Sequence, residues 1–421
     1  MFRDWFERAA MKVDLVLRNA RVHGFDDLVD IAVTDGIVTA LEPKLVCKAG
    51  SEEDLGGKVT FSGFVDSHIH LDKACILDRC SICAGTLQEA VRETAAAKSG
   101  FTEDDVYARA ASVVEKAILH GTTRMRTFVE VDPRAGLRSF KAIQQIKADY
   151  AFALDIQICA FAQDGLTQEP ETLDLLEKAL SDGADLVGGC PYTDPDPVRH
   201  VSLIFDMAAK HGVDVDFHLD FDLDPAVSNL PAVISETIAR SYQGRVAVGH
   251  MTKLSAMPRD QIQQLVSDLH VTGIALVTLL STDLFLMGRE QDHNVPRGVA
   301  PAHLFAQAGV TAAIATNNVL NPFTPYGDAS LSRMANLYAN VMQLSRDDEL
   351  STVFSMVSGA PAKILQLPYG LRLGGPADIV VLDAADPVSA IREIAPALRG
   401  WKAGRKSFSR PAPLLHRPPD G

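Results

Sequence analysis

The sequence predicts an α/β fold: a TIM (β/α)8 barrel with a small β-sandwich-like domain formed by both termini. Two observations predict it. Between residues 60 and 365, eight short runs rich in Val, Ile and Ala alternate with longer amphipathic stretches, as parallel strands buried on both faces and separated by helices do. On either side of that region, strand-like segments crowd together without helices. The domain boundaries expected from this pattern are 1–59 plus 366–421 for the β domain and 60–365 for the barrel.

Taken in order, residues 2–10 suit a short amphipathic turn with Phe2, Trp5 and Phe6 on one face. Asp14–Leu17 and Ile31–Val33 are strand-like, and Asp35-Gly36 before Ile37-Val38 is a hairpin turn signal. The eight barrel runs are Val59–Asp66, Thr122–Val131, Ile156–Ala162, Ala184–Pro191, Val213–Asp220, Val246–Met251, Ile274–Leu280 and Val310–Asn317. Helices are expected at Pro170–Ser181, Pro197–His211 and Arg259–His270 among the gaps. Leu373–Asp383 returns to strand, and the Pro-rich tail Ser409–Gly421 is expected to be disordered.

Composition narrows the function classes. A chain of 421 residues with 47% apolar and 22% charged residues has the makings of a sizeable globular core. A formal charge of −14 argues against nucleic acid as a partner. No apolar run reaches the roughly 18 residues that a membrane helix needs. Met1–Arg8 carries acid and lacks an apolar signal region, so a cytoplasmic location is expected. Six cysteines suit a reducing compartment. Cys75, Cys80 and Cys83 have a spacing that iron–sulfur ligands use, but a fourth ligand is missing, since Cys159 and Cys190 fall in strand-like runs. Free thiols are therefore expected.

Barrel chemistry gathers at the C-terminal ends of the strands. The first run is followed by His68 and His70, spaced so that both imidazoles leave one side of a strand. The fifth run carries His218, the sixth ends in His250, and the eighth ends in Asn317. Four of the twelve histidines thus meet on one face, a pattern that points to a divalent metal site. Neutral imidazoles at such strand ends can hold a divalent ion with positions left open for a bound water.

These stretches carry a resemblance. Gly63–Lys73, Gln157–Gly165, the segment around His218, Gly249-His250, Leu286–Arg289 with Arg297-Gly298, and Asn317–Gly327 are similar to motifs of the amidohydrolase superfamily. The branch they resemble is that of cytosine deaminase and N-isopropylammelide amidohydrolase, over most of residues 12–385. The resemblance implies that His68, His70 and His218 hold one divalent ion, zinc or iron(II). It further implies that His250 handles the attacking water, that Gln163 orients a small-molecule substrate, and that the chain is a homo-oligomer; Lys73 either contacts that substrate or pairs with Asp66 or Asp72.

Two positions depart from that family's pattern. Asn317 stands where the family has a strand-8 aspartate; its amide oxygen can ligate a metal but cannot take a proton. Phe221 stands where the deaminases carry a glutamate, and offers substrate an apolar wall instead. Asp220, Asp222, Asp224 and Asp283 are candidate replacements. Asp220 is preferred, because two residues beyond His218 a continuing strand would return it to the same side. The expected function is metal-dependent hydrolysis of a non-peptide C–N bond in a cyclic amide, urea or N-heterocycle. The alternatives are a metal-using lyase or decarboxylase and a non-catalytic ligand-binding protein.

Overall fold

The computed structural model describes residues 12–411 and 413–416. The expected amphipathic turn at 2–10, and residues 412 and 417–421 of the tail, lie outside the described residues.

Five strands open the fold: β1 (Lys12–Val22), β2 (Val29–Thr34), β3 (Ile37–Glu42), β4 (Lys48–Asp54) and β5 (Val59–Phe61). β1, β2 and β3 form an antiparallel meander, while β4 and β5 pair in parallel with successive halves of β1. Asp35 and Gly36 turn the β2–β3 hairpin with positive φ at both residues, as a two-residue turn matched to strand twist requires.

Eight parallel strands follow: β6 (Phe64–Ile69), β7 (Thr122–Glu130), β8 (Asp155–Ala162), β9 (Leu186–Gly189), β10 (Asp214–Leu219), β11 (Val246–His250), β12 (Ala275–Thr278) and β13 (Ala312–Ile314). They pair in sequence order. Just past the strand ends the sheet closes at Asn317, whose N–H donates to His68 O and whose carbonyl accepts from His70 N, both at 2.8 Å. Asn317 is therefore the seam of the barrel, locked between two histidines. The three expected helices form at Glu171–Ser181, Pro197–His211 and Arg259–Thr272; Pro197 follows the Asp196 cap in the first helical position, where a missing N–H costs nothing.

The chain then returns to the first sheet as β14 (Ile379–Leu382), β15 (Ala397–Lys402) and β16 (Arg405–Ser409). β14 pairs antiparallel with β5, so segments from both ends of the chain complete one sheet around Leu17, Ile31, Val33, Ile379 and Trp401.

The first barrel run differs from expectation. It splits at Gly63, whose φ of +84° ends β5 in the small sheet and starts β6 in the barrel. A Cβ at Gly63 would lie 2.4 Å from Thr123 Cγ2, so both the turn and the close approach need glycine. Residues 60 and 61, expected in the barrel, pair instead with β14. His68 lies inside β6 rather than beyond it.

Candidate metal centre

β6 and β10 deliver three imidazoles to one point. His68 Nε2 and His70 Nε2 lie 3.2 and 2.9 Å from His218 Nε2. The rings are 0–2% exposed and rest on aromatic supports: His68 stacks on Phe128 at 3.9 Å and His218 lies 4.2 Å from Phe161. Burial, reinforced by neighbouring cationic groups and by one another, pushes all three well below the ordinary histidine range. They are neutral, as metal ligands must be. Hydrogen bonds among the three cannot use every nitrogen, and the three Nδ1 atoms have no partner. A cation at the meeting point satisfies all three Nε2 lone pairs at once.

Asn317 completes the arrangement from the seam. Its Nδ2 donates to Thr282 Oγ1 at 2.9 Å, and Thr282 is held by Thr324 Oγ1 at 2.6 Å. That leaves Asn317 Oδ1 buried and unpartnered, an oxygen donor in the wall shared with His70 and His218. Among the described residues, His68, His70 and His218 are the group of histidine, cysteine or acidic side chains placed to hold a metal ion. Cys75, Cys80 and Cys83 are free thiols.

Over this centre sits a narrow cavity of about 10 Å³, walled also by Lys73, Gln163, Tyr192, Phe221, His250, Asn318 and Phe323. Its apolar walls, Phe221 and Phe323, pack in a cluster with Ala90 and Leu286. Lys73 Nζ reaches Glu130 at 2.5 Å and Gln163 Oε1 at 3.4 Å, and lies 4.3 Å from the Phe323 ring centre. The sequence suggested Asp66 or Asp72 as its partner; both are occupied, Asp66 by Thr316 and Asp72 by the backbone N–H groups of Lys73 and Glu130. Glu130 also takes Lys98 at 2.6 Å, which continues to Asp132 at 2.6 Å and Asp164 at 3.0 Å. Burial opposes ionisation of Glu130, but the two lysines hold it well below the usual carboxylate range.

The preferred acid–base residue proves to be elsewhere. β10 ends at Leu219 and Asp220 adopts a φ of +51°, which breaks the alternation that would have returned it to the side of His218. Its Oδ1 accepts from Asn229 N at 2.9 Å and its Oδ2 from the Ser228 hydroxyl, so Asp220 shapes a loop. Asp222 pairs with Lys253 and Asp224 accepts from Ala226 N. Asp283 is wholly buried, with Oδ1 2.7 Å from His250 Nδ1. His250 stands at the end of β11, its ring centre 4.2 Å from that of Phe221. Sequence reasoning did not find Thr282, Tyr192, Asn318 or the Glu130–Lys98 network. Two of them left a trace: Asn318 inside the Asn317–Gly327 stretch, and Thr282 one residue before Asp283.

The neutral histidines set a pH dependence. A lowered pKa extends the metal-competent form below pH 6.5, so protons do not compete at mildly acidic pH. Zinc affinity, measured by chelator competition, is expected to change less than about threefold between pH 8 and pH 6. Three exposed imidazoles, each about a quarter neutral at pH 6, would lose roughly 65-fold.

Comparison with known proteins agrees with this geometry. The Amidohydrolase family model matches residues 59–406. The chain is 27% identical over 401 residues to N-isopropylammelide isopropyl amidohydrolase of Pseudomonas sp. (strain ADP), covering 93% of this chain and 96% of that protein. It is 27% identical over 363 residues to pterin deaminase of Rhizobium rhizogenes, covering 84% and 82%. Among solved structures, 5-methylcytosine deaminase from Klebsiella pneumoniae with bound 5-fluorocytosine superposes with a TM-score of 0.91 at 26% identity, covering 96% of this chain and all of that one. No helix among the described residues is long and apolar enough to cross a membrane. With a matched family model across most of its length and a buried three-histidine centre at the mouth of its barrel, the chain belongs to the amidohydrolase family and is a hydrolase of carbon–nitrogen bonds other than peptide bonds.

Proposed function

We propose that the chain hydrolyses a C–N bond of a small cyclic amide, urea or N-heterocycle, with one divalent ion, zinc or iron(II), held by His68, His70 and His218. The observation that carries this is the convergence of three buried, neutral Nε2 atoms beneath a small cavity. Asn317 Oδ1 is the oxygen available beside them. Bound there, such an ion supplies Lewis-acid polarisation of the substrate and an acidified water.

The chain's own groups divide the remaining work. Gln163 and Lys73 present an amide and an ammonium to a carbonyl-bearing edge of the substrate; Gln163 Oε1 faces Lys73 and its Nε2 faces Cys190 Sγ at 3.5 Å. Phe221 and Phe323 clamp the ring faces and exclude water. His250 is the cavity imidazole outside the metal-holding set, able to take up and return a proton. Among the described residues no Asp or Glu lines the cavity, so none of their carboxylic acids is placed to protonate a ring nitrogen. A substrate that already bears a carbonyl or a good nitrogen leaving group suits this site better than one needing ring protonation. The relatives' names point to the same chemistry: an alkylamino-triazine, a pterin and a methylated cytosine.

The test is turnover of a panel of triazines including N-isopropylammelide, pterins, pyrimidines, hydantoins and lactams, run in ¹⁸O-labelled water. One product should carry a single ¹⁸O at the carbon that lost nitrogen. Product formed without label would indicate a lyase, and ligand binding without turnover a non-catalytic member; either result overturns the proposal.

A further inference from the structure

With asparagine at position 317 and Asp220 committed to its loop, the proton chemistry needs a carboxylate from another element, and the helix Leu280–Leu286 that follows β12 carries one. We propose that Asp283, just after β12, is a positioning residue that prepares His250 as the proton carrier of the reaction. Asp283 Oδ1 sits 2.7 Å from His250 Nδ1, and its Oδ2 accepts from Leu279 N at 3.2 Å. Both residues are buried, Asp283 completely. The Leu279 N–H and His250 together account for the two carboxylate oxygens, so its orientation is fixed from behind.

A buried carboxylate facing one ring nitrogen selects the neutral tautomer with its proton on Nδ1 and leaves the Nε2 lone pair free. It also stabilises the imidazolium once Nε2 has taken a proton, without itself becoming protonated. The step balances on His250 alone. As the water oxygen bonds to the scissile carbon, its O–H breaks and the proton passes to Nε2. When the C–N bond breaks, the same proton moves to the departing nitrogen. His250 ends as it began, and one water has been added across the bond. The proton's source and destination rest on the hydrolase reading above; the dyad itself rests on geometry.

Asp283→Asn separates these. The Leu279 N–H demands an acceptor, so the amide oxygen turns there and the NH₂ faces His250 Nδ1, which forces the imidazole proton onto Nε2. In metal-free protein with ¹⁵N-labelled histidine, NMR should show His250 as the Nδ1–H tautomer in the wild type and Nε2–H in the variant. On a panel compound that the wild type hydrolyses, kcat should fall about 10²- to 10⁴-fold with zinc content unchanged. Transfer of the carboxylate in Asp283→Asn/Asn317→Asp should recover part of that loss. A wild-type His250 protonated on Nε2, or a variant whose kcat stays within about threefold of wild type, overturns the inference. The tautomer measurement on wild-type protein decides it even if the variant does not fold or no panel compound is turned over.

Discussion

Replacing His218 with alanine is expected to lower turnover at least about 10³-fold and to remove the response of the protein to zinc. The reason is geometric. His218 Nε2 is the nitrogen close to both others, 3.2 Å from His68 and 2.9 Å from His70, so its loss leaves a two-nitrogen fragment rather than a weakened site. The measurement is thermal unfolding with and without metal. A ligand that binds only the folded state adds about 4 kcal/mol at a thousand times its dissociation constant, so zinc should raise the wild-type melting temperature and leave His218→Ala unmoved. His211→Ala is the control: that histidine pairs with Glu177 in a partly exposed position outside the barrel mouth, and the zinc response should persist.

The largest stability effect is expected at Glu130. This buried carboxylate joins Lys73 at 2.5 Å to Lys98 at 2.6 Å, and all three side chains are 1–2% exposed. Glu130→Gln removes the anion between two buried cations. Lys98 keeps Asp132 and Asp164, but Lys73 loses its paired carboxylate, a kind of loss that costs about 3–5 kcal/mol. Urea unfolding at pH 7 should show it as a lowered midpoint. The pH dependence has a definite sign. A carboxylate held below its ordinary range stabilises the fold above that range, and the contribution fades as pH falls toward the lowered value. The gap between wild type and variant should therefore narrow below about pH 4. An unchanged midpoint at pH 7 would show that Lys73 finds compensation elsewhere.

What the sequence made legible follows from period and position. Eight apolar runs became eight parallel strands in order, because strands buried on both faces must be continuous in apolar residues. His68, His70, His218 and His250 all reached the barrel mouth, because barrel topology puts every strand's C-terminal end on one side. Failures came where backbone conformation overrode the pattern. Gly63 with positive φ divided one apolar run between two sheets. Asp220 failed as an acid–base candidate because period-2 reasoning holds only while the strand continues, and β10 stops one residue earlier. Glu130 was hidden inside a strand of buried residues; its partner Lys98 comes from a helix 32 residues earlier in the chain, and single-sequence periodicity carries no signal for such a pairing.

The barrel, the seam at Asn317 and the dyad behind His250 all bear on one centre, and metal stoichiometry tests it most directly. Native mass spectrometry of protein purified without chelator should find one divalent ion per chain in the wild type and none in His68→Ala, His70→Ala or His218→Ala. A wild-type protein that stays metal-free after incubation with zinc or iron(II), or variants that keep their ion, would contradict it.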